Sequence, residues 1–202
     1  MNTKKNAIAI CLTALLVFSP LAGFAQAATS FSGEATALKA NALGISLSAA
    51  DTGALPSSGG NLSTSLASVN VLGLASADVL KSTASGSGTS SQSESQAADV
   101  NLLGGLIAAK LVDSNASATC SGSTASTSGN AQIVDLVAAG QSIVVSNPNL
   151  AVSLPGGISL VVNEQTNSSG GNTGSMTVNA LHVTGPSIDI IVASAHSDIT
   201  CG

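Results

Sequence analysis

The sequence predicts an all-β protein, a β-sandwich of mainly antiparallel strands, with a β-solenoid as the alternative. Three observations carry this. The dominant apolar period is two, in runs rich in Val, Ile and Thr, which are stiff at χ1 and suit a pleated surface. Pro155-Gly156-Gly157 separates two alternating runs and reads as a hairpin turn, Pro fixing φ and Gly supplying φ > 0. The composition is 44% hydrophobic, 7% charged and 1% aromatic over 202 residues, with 21 Gly and no Trp or Tyr. A helical bundle would be rich in Glu, Lys, Arg and Leu, and a disordered chain would be less apolar and more charged. A sandwich predicts antiparallel hairpins and a solenoid predicts parallel stacking at a fixed period, so the Pro-Gly-Gly turn favours the sandwich.

Residues 1–27 read as a secretory signal peptide. Lys4 and Lys5 form the positive start, Ala7 to Phe18 the apolar run, and Ala25-Gln26-Ala27 the small-x-small cleavage site. The apolar run is shorter than the roughly 20 residues that span a bilayer. Residues 28–202 then form a single β-rich extracellular domain. Cleavage leaves 3 basic against 10 acidic side chains, a net charge of −7, where the full chain carries −5. It leaves Phe31 as the sole aromatic residue, and two cysteines, Cys120 and Cys201. An even pair in an exported chain reads as a disulfide; free thiols or a metal pair are the alternative.

Along the mature chain, Phe31 to Ser48 alternates loosely. Val69-Asn70-Val71-Leu72-Gly73-Leu74 is echoed by Val100-Asn101-Leu102-Leu103-Gly104-Gly105-Leu106, which reads as two similar β-units rather than a solenoid repeat. Ile133 to Val145 bends near Ala139-Gly140-Gln141. Asn149 to Glu164 is the Pro-Gly-Gly hairpin. Thr177 to Thr184 and Ile188 to Cys201 are strands. In the first, Val178, Ala180 and His182 share a face. In the second, Ile191, Ala193, Ala195, Ile199 and Cys201 share one face and Ile190, Val192 and His196 the other. The Ser/Gly/Asn/Thr-rich stretches Ser82 to Gln96, Ser121 to Asn130 and Asn167 to Ser175 read as exposed loops or strand tips.

The chemistry-bearing residues are few. The chain contains no Arg, so it lacks a basic footprint for nucleic acid, and it lacks stacking aromatics. No nucleophile elbow, phosphate-cradling loop, dinucleotide fingerprint or zincin helix motif is present. The candidates are His182 and His196 with Asp189 and Asp198. Ser is so abundant that a Ser/His/Asp set means nothing without geometry. His196 and Asp198 fall on one strand face and could share a metal, completed by His182 if the strands pair suitably. The reading adopted is that both histidines are polar strand residues. No catalytic, cofactor-binding or metal-ligating residue is assigned, and no cofactor is expected.

The motifs Leu154-Pro155-Gly156-Gly157-Ile158, Val162-Asn163-Glu164-Gln165, Val178-Asn179-Ala180-Leu181-His182-Val183 and Ile190 to Cys201 resemble the C-terminal blocks of the choice-of-anchor P family. Gly33-Glu34-Ala35-Thr36-Ala37-Leu38 to Leu43-Gly44 resembles its opening. The resemblance implies a bacterial, exported, surface-associated protein of undefined activity, and matches Cys120 with Cys201. The sequence stops at Gly202 with no sorting motif or apolar tail, so a secreted product is expected, with a periplasmic one as the alternative. The expected role is non-enzymatic: structural, adhesive or surface-associated. An extracellular ligand-binding module is the first alternative, a secreted hydrolase the second. No membrane insertion is expected after cleavage; a cell-surface protein or polysaccharide is the kind of partner that fits.

Overall fold

The computed structural model describes residues 29–202 apart from Leu43 and Leu72, so the signal peptide reading lies outside the described residues. The strands are β1 (Ser30–Ala42), β2 (Ile45–Asp51), β3 (Gly60–Val71), β4 (Ala75–Ser87), β5 (Ser90–Leu102), β6 (Ile107–Ser121), β7 (Thr124–Val134), β8 (Val137–Ala138), β9 (Gln141–Ser142), β10 (Leu150–Leu154), β11 (Ile158–Gly170), β12 (Thr173–Gly185) and β13 (Ile188–Thr200). They form two sheets packed face to face. The first has the order β10-β11-β12-β13-β1-β2; the second runs β3-β4-β5-β6-β8-β9, with β7 also on β6. All pairings are antiparallel, which establishes the sandwich and excludes the solenoid. The last strand, β13, returns to pair with the first, Phe31 lying opposite Ile199.

The Pro155-Gly156-Gly157 hairpin forms as expected, Leu154 facing Ile158. The bend at Ala139-Gly140 also forms, but its arms are only two residues each, because Ile133 and Val134 belong to β7. The two echoed segments both end a strand and turn at the same end of the second sheet, where the Leu103 amide donates to the Leu74 carbonyl at 2.7 Å.

The expected strand faces need correction in a systematic way. In β13, Ile190 and Val192 are buried, and then Ala193, Ala195, Ser197 and Ile199. The inward parity therefore switches at Ala193. β12 switches between Ala180 and Leu181, β1 between Ala37 and Leu38, β11 between Val162 and Asn163, and β2 between Ala49 and Ala50, each pair being buried. The register places these residues in one row across the sheet. Asn163, Ala193 and Ala50, on alternate strands, have φ of 51°, 53° and 48°, and this left-handed turn sends two neighbours to the same side. The second sheet has a facing row at Val79, Asp99 and Asp135, with φ of 52°, 46° and 53°. There the doubled residues point outward, as at Asp78-Val79, which are both exposed. Simple alternation cannot reveal this, because each strand reads correctly on either side of its own switch.

The rows divide the interior into two halves. Near the β1–β2 and β12–β13 turns the core is aliphatic, built on Leu38, Leu102, Ile107, Leu160, Leu181 and Ile190. Burying each such side chain contributes roughly 2–3 kcal/mol. The other half is rich in Ser, Ala and Gly, with only a few larger apolar side chains, Met176, Val178 and Ile199 among them. Ser82, Ser91, Ser93, Ser95, Ser114 and Ser197 are all buried there. Of the three stretches expected as exposed loops or strand tips, Asn167 to Ser175 is the tip of the β11–β12 hairpin; Ser82 to Gln96 is instead the facing arms of β4 and β5 with their two-residue turn, and Ser121 to Asn130 is mostly β7.

The serines work as cross-sheet donors. Ser91 Oγ donates to the Ser32 carbonyl at 2.6 Å, Ser93 Oγ to the His196 carbonyl at 2.7 Å, and Ser197 Oγ to the Ala116 carbonyl at 3.1 Å. A hydroxyl one carbon from its backbone reaches the opposite backbone directly, so a single side-chain layer separates the sheets. An aliphatic sandwich holds two layers at about 10 Å. Gly33 faces this layer: a Cβ there would lie 2.9 Å from Ser93 Oγ. At the end of this half, Cys120 and Cys201 form a disulfide, Cα to Cα 5.6 Å, beside Phe31 and Ile199.

Candidate functional site

The ionisable residues expected to matter lie on the outer face of the first sheet, along its switch row. Doubling inward residues removes an outward side chain from each strand, leaving a furrow. Side chains reach across it from both banks. His182 Nδ1 is 2.9 Å from Glu164 Oε2, and Lys39 Nζ donates to Glu34 Oε1 at 3.0 Å. Along one bank Ser194 Oγ donates to Asn179 Oδ1 at 2.8 Å, and Asn179 Nδ2 to Glu164 Oε2 at 2.7 Å. Between the two bridges lies an open cavity of about 230 Å³ lined by Glu34, Thr36, Lys39, Thr177, Ser194 and His196. The Thr36 hydroxyl is buried and has no hydrogen-bond partner.

Each histidine is held on both ring nitrogens. His182 Nε2 lies 3.0 Å from Asp189 Oδ1, opposite the Glu164 contact. His196 Nδ1 is 2.8 Å from Thr177 Oγ1, and its Nε2 is 3.1 Å from Asp198 Oδ2. The sequence-based pairing of His196 with Asp198 is thus present; the contact of His182 with Asp189 emerges only in the folded chain. His182 does not join His196 and Asp198: it sits opposite Ile191 while His196 sits opposite Thr177. Five residues of strand, roughly 16 Å at the usual rise, separate those levels. Around His182 the two carboxylates approach opposite edges of the ring and do not converge on one point. Among the described residues no group of three or more His, Cys, Asp or Glu is placed to hold a metal ion.

The Thr177–His196–Asp198 chain has the hydroxyl–imidazole–carboxylate order of a nucleophilic triad. It also follows from strand geometry alone. Thr177 is the cross-strand neighbour of His196, and Asp198 is two residues along on the same face. Sequence reading missed Glu34, Thr36, Lys39, Glu164, Thr177 and Asn179. They belong to this face only because β1, β11, β12 and β13 are adjacent, and the first and last strands meet only in the folded chain.

The outer face of the second sheet holds one perturbed group. Burial, with the Glu94 charge added, pushes the Asp113 carboxyl above its ordinary value of 3.8. Below that ordinary value the group is protonated in both states and costs no stability. As pH rises through the folded-state value, the folded protein must hold a desolvated charge and stability falls. Asp113→Asn is therefore expected to melt higher than the parent at neutral pH and equally at acid pH, measured by calorimetry across pH.

Comparison with protein-family models, characterised proteins and solved structures returns no match for this chain.

Proposed function

We propose that this is an exported bacterial β-sandwich with a non-enzymatic structural, adhesive or surface-associated role, in keeping with its resemblance to choice-of-anchor P proteins. The observation that supports this reading most directly is that the contacts of both histidines are those that cross-strand and same-face neighbours make in any such sheet. Every ring nitrogen of His182 and His196 has a hydrogen-bond partner within the sheet. The face is thereby knitted together as a surface. The disulfide and the low charge suit a durable fold in an oxidising compartment. Fractionating cells and medium tests the export. A broad hydrolase substrate screen of the parent and the His182→Ala, His196→Ala double variant tests the chemistry. Equal background rates are expected; a parent rate abolished in the variant would establish the hydrolase reading.

The furrow cavity favours a second reading, a ligand-binding module. The unpartnered Thr36 hydroxyl and the neighbouring Lys39, Ser194 and Glu34 offer donors and acceptors together, which suits a polyhydroxylated ligand. Chemical-shift perturbation by simple oligosaccharides, confined to these residues and lost in Thr36→Val, is the result that would favour it.

A further inference from the structure

The floor of the furrow is one row of side chains across five strands. Glu164 lies opposite Asn179, Asn179 opposite Ser194, Ser194 opposite Thr36, and Thr36 opposite Asp51. Thr36 is 1% exposed, yet its hydroxyl has no partner. A buried hydroxyl left without a hydrogen bond costs stability, and native proteins hold few of them. Thr36 lines the cavity of about 230 Å³ together with Glu34, Lys39 and Ser194. The hydrogen-bonding capacity left over in that cavity is mostly accepting. Ser194 Oγ gives its one proton to Asn179 Oδ1 at 2.8 Å, so toward the cavity it can only accept. Glu34 accepts from Lys39 through Oε1 at 3.0 Å, and Oε2 is not part of that bridge. Both ring nitrogens of His196 are engaged. The charge around the cavity points the same way. The outer face of this sheet carries Glu34, Asp51, Glu164, Asp189 and Asp198 against a single lysine, Lys39.

We propose that the furrow cavity binds an amino sugar, a hexosamine residue whose amine is free and protonated. The proposal rests on the ligand-binding reading of the furrow and names the ligand class. The ammonium is a donor and a cation, which is what Glu34 and the surrounding carboxylates call for. The ring hydroxyls donate to Ser194 and exchange hydrogen bonds with Thr36, which gives that hydroxyl the partner it lacks. Neighbouring ligand classes fit less well. A uronic acid or a sulfated sugar brings a second anion to an acidic face. A neutral sugar satisfies the hydroxyls and leaves the charge of Glu34 to Lys39 alone. N-acetylation removes the positive charge and adds bulk at the position of the ammonium. A free monosaccharide and one residue of a polysaccharide present the same amine and hydroxyls. The chain form gains more, because the floor continues past the cavity to Glu164 on one side and Asp51 on the other, where neighbouring residues meet further acceptors.

The test is titration of the purified chain, by calorimetry and by amide chemical shifts, with five probes: glucosamine, its β-1,4-linked trimer, the N-acetylated trimer, cellotriose and trilysine. The glucosamine trimer is expected to bind and to shift Glu34, Thr36 and Ser194, with the monosaccharide weaker at the same residues. The N-acetylated trimer and cellotriose are expected to bind at least about tenfold more weakly. Trilysine carries charge without hydroxyls and is expected to leave the Thr36 signal in place. Three variants sharpen the result, with circular dichroism to check folding. Glu34→Gln is expected to weaken the trimer at least about tenfold, and Lys39→Gln, which removes the competing cation, to tighten it. Thr36→Val is expected to weaken binding while melting no lower than the parent, since it removes an unpartnered hydroxyl. Cellotriose binding as tightly as the glucosamine trimer at these residues overturns the amino-sugar proposal and leaves the furrow a ligand site. No shift at these residues with any sugar overturns both. Lys39→Gln binding more weakly than the parent, or glucosamine shifts spread evenly over the acidic faces of both sheets, also overturns the proposal.

Discussion

Replacing Cys120 and Cys201 by Ser is expected to destabilise the protein by about 4.5 kcal/mol, the chain-entropy value for this closed loop. The bridge spans 81 residues of sequence. It ties the end of β6 to the residue after β13, one in each sheet. For a domain of this size the loss corresponds to a fall in melting temperature of roughly 9–18 °C. The effect is large because of where the bridge lies. It closes the half of the sandwich that is rich in Ser, Ala and Gly and holds fewer large apolar side chains than the other. Melting the parent with and without reductant, beside the double Ser variant, checks this. Equal melting in all three would show that the serine-rich half is held without the bridge.

Ser93→Leu is expected to cost about 3 kcal/mol, and Ser93→Ala about 1 kcal/mol. Ser93 is buried in β5 and donates across to the His196 carbonyl of β13 at 2.7 Å. Alanine removes that hydrogen bond and leaves the spacing intact. The His196 carbonyl keeps a lone pair for its own sheet, so the loss is close to that of one ordinary bond. Leucine removes the bond and also needs room that is absent. Gly33 stands directly opposite, close enough that a Cβ there would lie 2.9 Å from Ser93 Oγ. The larger side chain must push the two sheets apart or leave its rotamer. Urea denaturation of the three proteins measures both differences. A Leu variant as stable as the Ala variant would mean that the sheets are not held at single-layer spacing.

The two cases show what the sequence could disclose. The cysteine pair was legible because, once Cys11 is set aside with the expected signal peptide, two cysteines remain, and an even count has few meanings. The sandwich was legible from Val/Ile alternation in β12 and β13 and from Pro155-Gly156-Gly157. The stretch Ser82 to Gln96 departs from its expectation for a physical reason. Ser82 to Gln96 has the composition of a solvated loop, and a hydroxyl satisfies water or a carbonyl equally well. Only the opposing backbone of β1 and β13 makes burial of Ser91 and Ser93 favourable, by accepting their hydrogen bonds. The face parity was half legible. Ile190 and Val192 alternate correctly, as do Ala195 and Ile199, but the left-handed Ala193 between them leaves no mark in a sequence where Ala is common.

The site follows the same division. His182, Asp189, His196 and Asp198 could be named from the chain because they are its rare titratable groups and lie close in sequence. Their partners Glu164 and Thr177 depend on strand order, and the bridge from Lys39 to Glu34, both on β1, depends on the switch that puts residues five apart on one face. By itself the sequence determined the residue inventory: a low-charge, aromatic-poor β-chain with three cysteines, two of them beyond the apolar start, and two histidines. Composition and period are local properties, and a single strand expresses them without its neighbours. The tertiary structure decided which strands are neighbours, where the strands of the two switch rows change face, and that the serines turn inward. These are properties of register and sheet spacing, set by contacts between segments as far apart as β1 and β13.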